Sequence, residues 1–159
     1  MVAGDFLGRG NLYDDDGALV VGLPFSMENG LYSEQSLIPV GAIDNMHDGN
    51  TTTYYRYMNS TEHACWVKWD FKRQIKFKNI KVYYNIQIGA GGGGIDINLQ
   101  GSNNDSDWTT IDSAATGPSS SRTGNLLGTT LKYRYIRLYT AKTEAGGTQA
   151  NVYIINGTV

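Results

Sequence analysis

From Cys65 onward, apolar and polar positions alternate with the period of two that a half-buried strand requires. Ile80, Val82, Tyr84, Ile86 and Ile88 fall on one side, and Lys81, Tyr83, Asn85 and Gln87 on the other. After the glycine-rich stretch 89–94, Ile95, Ile97 and Leu99 alternate with Asp96, Asn98 and Gln100. The pattern predicts strands over 80–88 and 95–101, paired as an antiparallel hairpin with a long, flexible tip. Further strands are predicted over 64–71, 108–112, 132–140 and 151–156. No run of a dozen residues carries apolar side chains at i, i+3, i+4 and i+7, so helices longer than a turn or two are not expected.

The first forty residues follow neither period. Gly4, Gly8, Gly10, Gly17, Gly22 and Gly30 interrupt every short apolar run, which predicts an extended arm over 1–40 leading into a β-sandwich over 41–159. The broken apolar runs of the arm cannot make a core of their own, and anchoring on a neighbouring subunit is expected. A length of 159 residues sets one domain with one core. The 20 Gly and 11 Tyr against 3 Pro favour short strands and turns. A net charge of −2 supplies no electrostatic footprint for a nucleic acid or an anionic membrane surface. The single Cys65 cannot form an internal disulfide and is expected as a small buried side chain. Near the N-terminus the longest apolar run, Ala18 to Val21, follows Asp14, Asp15 and Asp16, the reverse of a secretory signal, and no stretch is long enough to span a membrane.

Four segments then resemble, in order, the motifs of one family. Asp48-Gly49-Asn50-Thr51-Thr52-Thr53-Tyr54-Tyr55 resembles the DGN-x-x-T-x-W loop of discoidin (coagulation-factor C-type) domains and related galactose-binding carbohydrate modules, with Tyr55 in place of Trp. The segment from Trp66 to Phe71 is similar to their W-I-x-V-D-L strand, and Ile97 to Ile111 to their S-N-D-G-x-W-T-x-I hairpin. Tyr133 to Leu138 is similar to a-R-Y-I-R-L, and Val152 to Gly157 fits the closing strand. The resemblance covers about residues 42–157 and implies an all-β, antiparallel jelly-roll β-sandwich of the galactose-binding-like type. Many members carry a Glu at the start of the last strand that helps hold a structural calcium; Val152 stands there instead. The fold alone names no ligand.

The candidate chemistry follows from these loops. Asp48, Asn50 and Thr53 could place oxygens around a structural calcium ion, the one cofactor expected. A hydrogen-bonded Asx turn is the competing reading of the same residues. His47, His63 and Cys65 offer too few ligands for zinc, no Ser–His–Asp signature surrounds Ser119–Ser121, and Glu28, Glu34, Glu62 and Glu144 sit in polar or Gly-rich surroundings, so no catalysis is expected. Tyr54, Tyr55, Arg56, Tyr57, Asn59 and His63 form the candidate contact set, with rings to stack on a sugar and polar groups to take its hydroxyls, or to bury in a subunit contact. Trp66, Trp69 and Trp108 are expected in core and inter-sheet packing, and Arg134 and Arg137 in cross-sheet pairs. The expectation is a non-enzymatic binding or structural protein. It is read first as a bacteriophage virion component, a capsid decoration or tail-associated subunit made in the host cytoplasm, whose partners are other virion subunits or copies of itself. The alternative is an extracellular, free-standing glycan-binding module acting in cell-surface adhesion.

Overall fold

The computed structural model describes residues 24–26, 31–35, 41–46, 48, 50–58, 64–88, 94–116, 122–142 and 148–158. These are nearly all strand: β1 (Pro24–Ser26), β2 (Leu31–Gln35), β3 (Tyr55–Met58), β4 (Ala64–Ile88), β5 (Ile95–Ser102), β6 (Thr109–Thr116), β7 (Arg122–Lys142) and β8 (Thr148–Thr158), with one 3-10 turn at Ile43–Met46. Every pairing is antiparallel.

Two strands of unusual length organise the two sheets. β4 and β7 pair along almost their whole lengths, from Ala64↔Ala141 to Ile86↔Arg122, with an irregularity between Asp70 and Ile75. On one side of that irregularity β2 joins β4 while β5 and then β6 join β7, forming a first layer. On the other side β8 joins β4, and β1 and β3 join the far edge of β8, forming a second layer. The corner between layers exposes Lys72, Arg73 and Gln74. Lys72 adopts φ 65° there, a conformation unusual for a side chain with a Cβ. Asp70 stabilises it by accepting the Lys72 amide N–H at 2.8 Å.

The core lies between the layers. From the first come Cys65, Val67, Trp69, Ile97, Leu99, Ile136 and Leu138, and from the second Ile80, Val82, Tyr84, Ile86, Leu126, Val152 and Ile155, all at most 1% exposed. The predicted inward faces of 80–86 and 95–99 are therefore correct. Their predicted partnership is not. β5 pairs with β6 and β7, and β4 with β2, β7 and β8. Both segments have one apolar face, and placing them in opposite layers lets those faces meet across the core, which a side-by-side hairpin does not.

Two further expectations change. Part of the predicted arm is sheet: β1 pairs with β8 from Pro24↔Thr158 to Ser26↔Asn156, and β2 pairs with β4 from Leu31↔Asp70 to Gln35↔Trp66. The rest of the arm lies outside the described residues. Of the tryptophans, Trp69 is in the core at 1% exposure, whereas Trp66 and Trp108 are half-buried, on the outer side of the first layer. Alternation along β4 dictates this for Trp66, three positions before Trp69 and thus on the opposite face. Cys65 is a free, buried cysteine, as expected.

Candidate functional site

β3 decides which residues of the predicted contact set can meet a ligand. Its alternation turns Tyr55 and Tyr57 inward, to 3% and 0% exposure, and leaves Tyr54 and Arg56 half-buried on the outer side. The Tyr57 hydroxyl forms a short hydrogen bond with the Thr140 hydroxyl inside the core. Tyr55 and Tyr57 are thus core residues, not ligand contacts: a one-residue step along a strand reverses the face. Asn59 and His63 lie outside the described residues.

Around Tyr54 and Arg56 the outer face of the second layer assembles groups from three strands. The register places Arg56 opposite Asn151 and Asn151 opposite Asn85, one row across β3, β8 and β4. Arg56 Nε donates to Asn151 Oδ1 at 2.9 Å, and Asn151 Nδ2 to Asn85 Oδ1 at 3.4 Å. Beside this row stand three tyrosines. The register of β4 and β8 slips between Tyr83 and Tyr84, leaving Tyr153 as the extra residue of a bulge, which re-aims its side chain outward between the flanking rings. The Tyr153 ring meets Tyr54 edge-on at 5.7 Å and Tyr83 at 5.4 Å. Arg56 lies over the Tyr54 ring at 5.4 Å and donates from Nη2 to its hydroxyl at 3.3 Å. Burial, chiefly, raises the Tyr153 pKa, with Tyr83 and Tyr54 adding and Arg56 opposing, so its hydroxyl stays protonated at neutral pH.

The patch therefore combines ring surface, hydroxyls, side-chain amides and a guanidinium, the groups that take a polyol by ring contact and hydroxyl pairing. Tyr83, Asn85, Asn151 and Tyr153 were absent from the sequence-derived set. Alternation already put Tyr83 and Asn85 on the outer face of their strand, but nothing in the sequence brought β8 beside them.

The loop before β3 is hydrogen-bonded within itself. Asp48 Oδ1 accepts the Asn50 amide at 2.8 Å, and Asp48 Oδ2 accepts the Thr53 hydroxyl at 2.5 Å. Asn50 Oδ1 accepts the amide and the hydroxyl of Thr52 at 2.9 and 2.8 Å. Calcium takes six to eight oxygens. Asp48, Asn50 and Thr53 supply one carboxylate, and Val152, at the position of the family's Glu, is fully buried and offers no oxygen from its side chain. The side-chain oxygens of Asp48 and Asn50 are instead engaged within the turn itself. Among the described residues no group of three or more His, Cys, Asp or Glu could hold a metal ion, and no helix is long and apolar enough to cross a membrane.

The outer face of the first layer is covered by an interleaved set of cations and rings. Arg137 stacks 3.9 Å from the Trp108 centroid and 4.9 Å from that of Tyr139, and its Nε donates to Gln100 Oε1 at 2.7 Å. Lys68 lies 5.0 Å from the Trp66 centroid and pairs with Asp105 at 2.6 Å. Arg134 lies over Tyr135 and donates from two nitrogens to the two oxygens of Asp70, at 2.9 and 3.0 Å. These bonds, Arg134 foremost, hold the Asp70 carboxyl well below the usual carboxylate range. The cross-sheet partners expected for both arginines are found, a carboxylate for Arg134 and an amide oxygen for Arg137.

The sequence profile of the F5/8 type C domain family matches residues 32–153. No curated protein matches the chain in sequence. Among solved structures, a chitosan-binding module from a chitosanase/glucanase of Paenibacillus sp. IK-5 is similar, with TM-score 0.54 at 15% identity over 86% of this chain and 100% of that one. A Clostridium perfringens module, CpGH89CBM32-5, in complex with GalNAc-β-1,3-galactose is similar with TM-score 0.53, at 15% identity over 86% of this chain and 100% of that one. A putative α-L-fucosidase from Bacteroides thetaiotaomicron gives TM-score 0.54 at 11% identity over 84% of this chain but only 28% of the fucosidase. At these identities the likeness is one of fold.

Proposed function

Because the chain belongs to the F5/8 type C (discoidin) domain family, we propose that it is a non-catalytic glycan-binding module acting in cell-surface adhesion, with its ligand against Tyr54, Arg56, Tyr83 and Tyr153. The observation that carries this reading is the Arg56–Asn151–Asn85 row beside Tyr153 packed between Tyr54 and Tyr83. Asn151 is 1% exposed and bonded on both sides, so it fixes the Arg56 fork before any ligand arrives. Such preorganisation lowers the ordering cost of binding. The similar modules, one chitosan-binding and one bound to a disaccharide, support a saccharide over another class of ligand. The virion reading has no such support and is not carried forward.

The test is a glycan array with the full chain, followed by calorimetric titration of the strongest hit. Tyr54→Ala, Arg56→Ala and Tyr153→Ala should each weaken binding, while Asp96→Asn, an exposed change on the other layer, should not. A wild-type chain that binds no glycan on the array, or a hit indifferent to all three substitutions, refutes the reading.

A further inference from the structure

Charge is divided unevenly between the two layers. Acidic residues outnumber basic ones 15 to 13 in the chain. Yet the strands of the second layer, β1, β3, β8, β4 from Ile75 and β7 as far as Lys132, hold Arg56, Lys76, Lys78, Lys81, Arg122 and Lys132 and not one Asp or Glu. Glu34, Asp70, Asp96, Asp105, Asp107 and Asp112 belong to the first layer or its loops, and two further acids, Asp44 and Asp48, lie in the turn and loop that lead into β3.

The placement is not explained by folding. Lys76 stands directly opposite Lys132 across β4 and β7, both exposed, and neither forms an ion pair among the described residues. Like charges directly opposed on a sheet are destabilising, and an acid in either position would reverse the sign. On the first layer the corresponding positions are matched, Lys68 by Asp105 and Arg134 by Asp70. Further along the outer side of β4 come exposed Lys81, then Tyr83 and Asn85 of the tyrosine patch. At about 3.3 Å per residue, Lys76 to Lys81 spans about 17 Å and Lys81 to Asn85 about 13 Å. Lys81 thus shares β4 with the patch, and Lys76 and Lys132 add two exposed cations nearer the corner. In the patch, Arg56 uses Nε and Nη2 within the protein and forms no ion pair among the described residues.

We propose that the ligand of this face is an acidic saccharide, a sugar chain whose carboxylate or sulfate groups lie along β4 from Arg56 past Lys81 toward Lys76 and Lys132. The inference rests on the glycan-binding reading and names the ligand class of the same site. Net charge does not oppose it, because exposed charges more than about 8 Å away are largely screened at physiological ionic strength. Tyr153 meets Tyr54 edge-on and Tyr83 at a tilt of 46°, an arrangement suited to the rims and hydroxyls of saccharides. Single-stranded nucleic acid instead stacks successive bases on separate ring faces.

The experiment compares a carboxylated polysaccharide with the same polymer after reduction of its carboxyls to alcohols, using the full chain at low and high salt, with homopolymeric single-stranded DNA as a third ligand. The acidic polymer should bind more tightly than the reduced one, and the advantage should shrink in high salt. Lys76→Gln with Lys81→Gln should weaken the acidic polymer by about tenfold, the combined effect of two exposed ion pairs, and leave the reduced polymer unchanged. Lys81→Arg should restore part of the loss. Equal binding of acidic and reduced polymers, both lost in Tyr54→Ala, overturns this inference and leaves the glycan-binding reading standing. Binding of neither polymer overturns both, and DNA bound more tightly than either polymer overturns the choice of a saccharide.

Discussion

Tyr57 separates the two ways of reading the aromatic cluster, because the sequence offers it as a ligand platform and the fold makes it part of the core. It is 0% exposed, with its hydroxyl on Thr140. Tyr57→Ala removes a fully buried ring, and such truncations cost about 3–5 kcal/mol in lost transfer energy and residual cavity. At ~2–4 °C per kcal/mol for a domain of this size, Tm should fall by roughly 6–20 °C. Tyr57→Phe keeps the ring and strands only the Thr140 hydroxyl, so a loss of about 1–2 kcal/mol is expected. Burial pushes the Tyr57 pKa well above its ordinary 10.0, the Thr140 hydrogen bond partly opposing. The folded state therefore holds its phenolic proton where the unfolded chain has released it. The resulting stabilisation is complete below pH 10 and is lost as pH rises above it. Thermal melts of wild type and Tyr57→Phe from neutral pH to pH 11 should show the wild type declining more steeply. Tyr57→Phe with unchanged stability but lost glycan binding would refute the reasoning, since only a ligand-facing hydroxyl could produce that pair of results.

Three further outcomes are expected. In Gly101→Ala the new methyl would collide with the Tyr133 ring, so melting should show a loss of about 1–3 kcal/mol, and Tyr133→Ala in the same chain should recover part of it. Because the Asp70 pKa is depressed chiefly by Arg134, the stability that Asp70 contributes is present above its ordinary 3.8 and lost as pH falls below it, so acid melts of Asp70→Asn should be flatter than those of wild type. Chelator should leave Tm unchanged, whereas Asp48→Ala should lower it by about 1 kcal/mol equivalent through the lost turn bonds; a wild-type melt that drops in chelator would establish a bound cation.

What the sequence makes legible is each strand's face. Ile80, Val82, Tyr84 and Ile86 point inward as their alternation requires, and so do Ile97 and Leu99. Partnership is not legible. Two segments with identical periodicity can sit side by side or face to face, and only closure of the sandwich decides between them. β7 was half found: 132–140 alternates cleanly, whereas 122–131 contains Gly124 and Gly128, which read as breaks although Gly124 lies directly opposite Tyr84. β2 has no legible period within the glycine-interrupted lead-in. At the site, the aromatic cluster at 54–57 was visible but its phase was not, so Tyr55 and Tyr57 stood beside Tyr54 and Arg56 until the strand register separated them. A whole-chain charge of −2 concealed a basic sheet, because a sum over the chain discards position.

The position of β8 has a kinetic consequence. β8 lies between β4 on one edge and β1 and β3 on the other, so three earlier strands wait for a segment that reaches Thr158. A nascent chain lacking residues 148–158 would present one edge of β4 and the whole of β3 unpaired, the template on which other chains add. Pairings between residues so distant in sequence carry a large loop-closure entropy, which makes this a slow-folding topology. These strands are therefore exposed to aggregation until β8 has been made.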